Sequence, residues 1–232
     1  MLKVVLFDFN GVIINDEPIH KELIEELLLG ENLPPSSANF QQLCLGRSDR
    51  VCLRDILAAK GRSVSEDYLT KLVDKKALAY LKRLEELDSL PIYPHLEKFL
   101  QILQQNGLKI GLVTGALKSE VEFVLEKSRL EKYFNVIVAG DEVTTSKPEP
   151  NGYLLAIERF NRWDFNLQLQ PKECLAIEDT PPGIEAAKRA GIKVVGIAHT
   201  YPFHFMQRLS NWAIDYFVDL EIDRVAQTMN RG

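Results

Sequence analysis

An α/β fold, with a Rossmann-like parallel-sheet core interrupted by an all-helical insertion, is predicted by three observations. Five short runs, "LKVVLF", "LKIGLVT", "VIVAG", "CLAIE" and "IKVVGIA", are continuously apolar and rich in Val and Ile. Strands apolar on both faces belong between two layers of helices. Helix-length segments alternate with these runs, a pattern that builds a parallel sheet through right-handed crossovers. Residues 15–90 break the alternation, since every segment there has helical period and none reads as a strand.

The elements follow in order. "LKVVLF" ends at Asp8 and is followed by four helical segments, "EPIHKELIEELLLG", "FQQLCLG", "DRVCLRDILAAKG" and "EDYLTKLVDKKALAYLKRLEEL". "LDSLPIYP" returns the chain to the alternating pattern, with Pro91 and Pro94 stiffening the return. "HLEKFLQILQQNG", "LKSEVEFVLEKSRL", "NGYLLAIERF" and "PPGIEAAKRAG" then read as helices, several of them stopping at a glycine. The expected organisation is a core of residues 1–14 and 91–232 and a helical cap of residues 15–90, with no internal repeat.

At 232 residues, 46% hydrophobic and 26% charged, the chain has material for one large core. A net charge of −5 gives no reason to expect nucleic acid or an anionic membrane as partner. No segment approaches the roughly 20 apolar residues of a membrane span, and "MLKVVLFDF" reaches Asp8 too soon for a signal peptide. The expectation is a cytoplasmic monomer. Cys44, Cys52 and Cys174 are scattered and odd in number, so they are expected to be buried small hydrophobes rather than a disulfide or a metal knuckle. Trp163, Trp212 and "TYPFHF" lack interleaved basic residues and are assigned to packing.

Ligands of open α/β sheets bind at the carboxyl ends of the strands, so the polar residues that end each run should converge. These are Asp8, Thr114, Lys147 in "TTSKPEP", and the pair Glu178 and Asp179. Carboxylates from two strand ends suit Mg²⁺, a hard ion that shares its shell with water and phosphate. Lys147 and Thr114 supply the charge and the donor that a phosphoryl group needs as it transfers. An aspartate held beside such charges stays ionised and can attack phosphorus.

"DFNGV", "VTG", "SKPEPN" and "AIEDTPPGIEAAKRAG" resemble, in order and spacing, the four motifs of the haloacid dehalogenase-like (HAD) hydrolases. "GVIINDEPIH" and the helical insert are similar to the β-phosphoglucomutase and phosphatase branch. The resemblance covers nearly the whole chain. It implies an Asp8 nucleophile, Mg²⁺ held by Asp8, the backbone carbonyl of Asn10 and Asp179, with Glu178 supporting its waters, and phosphoryl binding by Thr114, Gly115 and Lys147. The substrate implied is a small phosphorylated metabolite.

One departure matters. Phosphatases and mutases of this family carry, two residues beyond the nucleophile, a second aspartate that protonates the leaving alcohol and later activates water. Here that residue is Asn10, which cannot exchange a proton at neutral pH. Both steps should lose about 10²–10⁴ in rate unless another group substitutes. Asp16, Glu17 and His20 stand near in sequence, although they also suit a solvated helix start. The alternatives are a chemistry that needs no acid there, or a site that binds metal and phosphate without turnover. Asn15 and Asn151 also stand where aspartate is usual in relatives.

In the cap, Arg47, Arg50 and Arg54 fall at helical spacing and could form a basic face toward the cleft for a second anionic group, or a solvated face. Asp49 occupies the position of an arginine in β-phosphoglucomutases, which argues against a mutase. Lys76 and Tyr80 fall where such caps carry a lysine and a tyrosine. Arg47, Arg50 and Lys76 are therefore the candidate specificity residues.

Overall fold

The computed structural model describes residues 1–229, so the last three residues of the expected core lie outside it. Strand β1 (Val4–Phe7) is central, paired in parallel with β2 (Lys109–Val113) on one side and β4 (Cys174–Glu178) on the other. With β3 (Val136–Val138), β5 (Lys193–Ile197) and β6 (Trp212–Ile214) the sheet runs β3-β2-β1-β4-β5-β6, parallel throughout. The first five strands coincide with the apolar runs. The short β6 is a sixth that the sequence reading did not anticipate, and it draws Trp212 into the sheet.

Alternation along β1 divides the core. Val5 and Phe7 face a cluster built from Phe99 and Leu100 of α5 (Leu96–Gln105), Val121 and Val124 of α6 (Lys118–Ser128) and Val225 of α10 (Ile222–Met229). Val4 and Leu6 face Tyr153 and Phe160 of α7 (Asn151–Trp163), Ile184 of α8 (Pro181–Arg189) and Met206 of α9 (Phe203–Leu209). Both faces are covered, which is why the strands read as unbroken apolar runs. Among the described residues no helix is long and apolar enough to cross a membrane.

Between β1 and α5 lie α1 (Glu17–Gly30), α2 (Ser37–Leu43), α3 (Asp49–Ala59) and α4 (Glu66–Glu85). They enclose a cluster of their own around Ile24, Phe40, Leu53, Ile56, Leu69 and Val73. Each helix burying one stripe, as Leu69, Leu72, Val73 and Lys76 do along α4, is the expected amphipathic solution. The expectation for the cysteines is corrected here. Cys44 at the end of α2 and Cys52 in α3 form a disulfide that closes the loop carrying Gly46, Arg47, Ser48 and Asp49. Cys174 alone is the buried free thiol, its pKa pushed up to about 12 by burial.

Candidate active site

The carboxyl ends of the three central strands bring the expected residues together. Asp8 follows β1, Thr114 follows β2, and Glu178 and Asp179 close β4; all four are buried. Lys147 Nζ lies 2.7 Å from Asp8 Oδ1 and 2.7 Å from Glu178 Oε1. Burial alone would lower the lysine's pKa, but the two carboxylates raise it above the ordinary value, so it stays an ammonium at neutral pH. Tyr153 donates to Glu178 Oε1 and Thr200 donates to Asp179 Oδ2, fixing both carboxylates. Thr114 Oγ1 accepts from the Ala116 amide at 3.0 Å, which leaves the hydroxyl proton available to a ligand. The turn after β1 requires glycine at position 11: its φ is +74°, and a Cβ there would stand 2.0 Å from Asp179 Oδ2.

The fit to a metal can be tested on these atoms. One oxygen each from Asp8, Glu178 and Asp179 lies within 4.8 Å of the others. Asp179 Oδ1 and Glu178 Oε2 are buried without hydrogen-bond partners. Burial and the charge of Asp8 push the pKa of both Glu178 and Asp179 up. Three buried carboxylates against one ammonium leave an uncompensated negative charge, and an all-oxygen set of this kind fits a hard divalent cation.

Asn10 belongs to a buried network at the start of the helical insert. Its Nδ2 donates to Asp16 Oδ2 at 2.8 Å and lies 3.0 Å from His20 Nε2, which is itself 3.2 Å from Asp16 Oδ2. Tyr80 also donates to Asp16 Oδ2, and its ring stacks on His20 with centroids 4.6 Å apart. Burial and Lys76 push the His20 pKa down, but Asp16 outweighs them and the net direction is upward. Asp16 and His20 are thus not a solvated helix start, as the sequence had allowed, but buried partners of position 10.

The profile of the haloacid dehalogenase-like hydrolases matches residues 2–191. The chain belongs to this family. Among curated relatives of this HAD-like hydrolase, the "Phosphorylated carbohydrates phosphatase" of Thermotoga maritima is 28% identical over 201 residues, 86% of this chain and 87% of the relative. The "Validoxylamine A 7'-phosphate phosphatase" of Streptomyces hygroscopicus subsp. limoneus is 29% identical over 202 residues, 87% and 88% of the two chains. Among solved structures, β-phosphoglucomutase from Clostridium difficile superposes with a TM-score of 0.85 at 24% identity, covering 100% of this chain and 98% of that one.

Of the basic residues proposed for the cap of this HAD-like hydrolase, only Arg47 lines the cavity over Asp8. It precedes α3 rather than sharing its face, and its guanidinium pairs with Asp55 at 2.9 Å. Arg50 and Arg54 do not line that cavity; both pair with the exposed Glu66, at 3.0 and 2.9 Å, as the solvated-face alternative expects. Their spacing did make one face, but that face meets the N-terminus of α4. Lys76 is fully buried between Asp49 at 2.7 Å and Glu120 at 3.3 Å, where burial is outweighed by the two carboxylates and its pKa is raised. Three contacts escaped sequence reasoning. Ser146, whose Oγ accepts from the Ser48 amide at 2.8 Å, sits inside "SKPEPN" beside Lys147 but was given no role; Tyr153 follows that motif in a segment read only as a helix, and Thr200 opens "TYPFHF", which was assigned to packing.

Proposed function

We propose that this HAD-like hydrolase is a Mg²⁺-dependent phosphatase of small phosphorylated metabolites, working through a phosphoenzyme on Asp8. The observation that carries the proposal is the convergence of Asp8, Lys147 and the oxygens of Glu178 and Asp179 at the ends of adjacent strands. The phosphatase names of the curated relatives support the same reaction class, and one of them is named for phosphorylated carbohydrates.

In this reading Asp8 attacks phosphorus and the ester P–O bond breaks. The Lys147 ammonium and the Thr114 hydroxyl take the charge of the phosphoryl oxygens, with Gly115 lining the same cavity as Asp8. Asp8, the carbonyl of Asn10 and Asp179, supported by Glu178, would hold Mg²⁺, which when bound supplies further positive charge to those oxygens. Residues 15–90 act as a cap. The cavity over Asp8 is about 40 Å³, room for a few waters and not for a sugar, so the cap must open to admit substrate. Arg47 is the specificity residue that this geometry supports.

A second reading, a phospho-ligand binder without turnover, is favoured by Asn10, whose amide nitrogen is committed to Asp16. Phosphate release from a panel of phosphorylated metabolites with Mg²⁺, for the wild type and Asp8→Ala, separates the two. The phosphatase reading expects release from at least one ester that is lost in Asp8→Ala. No Asp8-dependent release, with ligand still bound, leaves the binder.

A further inference from the structure

We propose that Glu17 is the catalytic acid and base that position 10 lacks, giving a proton to the departing alcohol and taking one from the water that cleaves the phosphoenzyme. The proposal rests on the phosphatase reading above.

Three observations select this residue. Asp8, Glu17, Asp49 and Glu120 are the carboxylates that line the cavity over Asp8. Asp8 is tied to Lys147, and Asp49 and Glu120 are tied to Lys76. The Glu17 carboxylate has no hydrogen bond or ion pair among the described residues, and the residue is only half-buried. Asp16 and His20, by contrast, are buried and bonded to each other.

The second observation is placement. Glu17 and Phe40 line both the small cavity over Asp8 and a larger outer cavity of about 420 Å³, bounded also by Lys21, Tyr93 and His199. Only the outer cavity has room for the alcohol half of a sugar-sized ester. An ester whose phosphorus faces Asp8 and whose alcohol fills the outer cavity must pass Glu17 at the wall between them. The ester oxygen, where a proton is needed, lies on that path.

The third is charge. Burial and the nearby carboxylates of Asp16 and Asp8 raise the Glu17 pKa to about 7, while His20 and Lys76 oppose the rise. Asp179, Tyr93 and Tyr201 also couple to it, and Lys21, Tyr93 and His199 are titratable groups that share the outer cavity with it. A carboxyl that titrates near neutrality can serve both steps.

The steps balance. In the first, an Asp8 oxygen forms a bond to phosphorus, the ester P–O bond breaks, and the Glu17 carboxyl proton passes to the alkoxide. This leaves an aspartyl phosphate, a free alcohol and the Glu17 carboxylate. In the second, water forms a bond to phosphorus as it loses a proton to Glu17. The Asp8–phosphorus link breaks, releasing inorganic phosphate and restoring both side chains.

The test compares wild type, Glu17→Gln and Glu17→Asp on an alkyl phosphate and on p-nitrophenyl phosphate, whose leaving group needs no proton, with folding checked by circular dichroism. Glu17→Gln should lower kcat/KM for the alkyl ester by about 10²–10⁴ and for the aryl ester by less than about tenfold, with partial rescue in Glu17→Asp. Because phosphoenzyme formation needs protonated Glu17, wild-type kcat/KM for the alkyl ester should fall as pH rises through about 7, and Glu17→Gln should lose that limb. Equal losses on both esters, or an unchanged pH profile, would overturn the role of Glu17 alone. The alkyl ester is one that the wild type hydrolyses in the metabolite panel above; absence of turnover on every ester of that panel would overturn the phosphatase reading and this role with it.

Discussion

At position 10 an amide stands where the family's second aspartate is expected, and the carboxylate it faces is the fully buried Asp16. Asn10→Asp would set a half-buried carboxylate against the buried Asp16 and lose a hydrogen bond, at a cost of about 1–3 kcal/mol. The new carboxyl would have a folded pKa above its unfolded value, so the deficit grows as pH rises through the unfolded pKa and is complete above the folded one. Denaturant melts should show a larger deficit at pH 8 than at pH 5. Adding Asp16→Asn should restore most of the stability; an equal deficit at both pH values, or no recovery, contradicts the network. The carboxylates beyond β4 give a second residue-scale prediction. Mg²⁺ at 100 times its Kd should stabilise the wild type by about 2.7 kcal/mol, read as a rise in Tm, and Asp179→Asn should abolish most of that rise.

Among the elements, the loop between α2 and α3 brings the insert onto the core. Gly46 has φ of +73°, and a Cβ there would stand 2.3 Å from Thr180 Oγ1. Thr180 cannot swing away without losing its cap on α8, where it accepts from the Gly183 amide. Gly46→Ala should therefore disfavour the closed arrangement by about 1–3 kcal/mol and lower kcat/KM at least about tenfold. Steady-state kinetics check this, and an unimpaired variant contradicts the contact. This loop also marks the limit of what the sequence made legible. Apolar runs ending in polar residues placed β1 to β5 and their site residues, because buried strands and strand-end ligands leave a local pattern. The Cys44–Cys52 bridge depends on how α2 meets α3, and Arg50 and Arg54 are turned by Glu66 on α4, so neither outcome was local. β3 is as short as β6, but its "VIV" is a β-branched run, whereas "WAI" of β6 is half-buried at two of its three residues and lies between polar neighbours.

Over the whole molecule, two packed bodies meet at one cleft. The insert has its own apolar cluster, while Tyr80 and Leu84 of α4 enter the core cluster beneath the sheet's first strand. Leu53→Ala should cost about 2–5 kcal/mol and reduce hydrogen-exchange protection in α1 to α4 more than in the strands. Uniform loss across insert and sheet would contradict that division. The division matters to the proposed mechanism, in which the core supplies Asp8 and the insert supplies Glu17. The central claim, that Asp8 carries the phosphoryl group, is tested most directly by acid-quenching the Mg²⁺-loaded enzyme during turnover and mapping phosphate by mass spectrometry. The account predicts acyl phosphate on the peptide containing Asp8 and none in Asp8→Ala; phosphate release that proceeds in Asp8→Ala would contradict it.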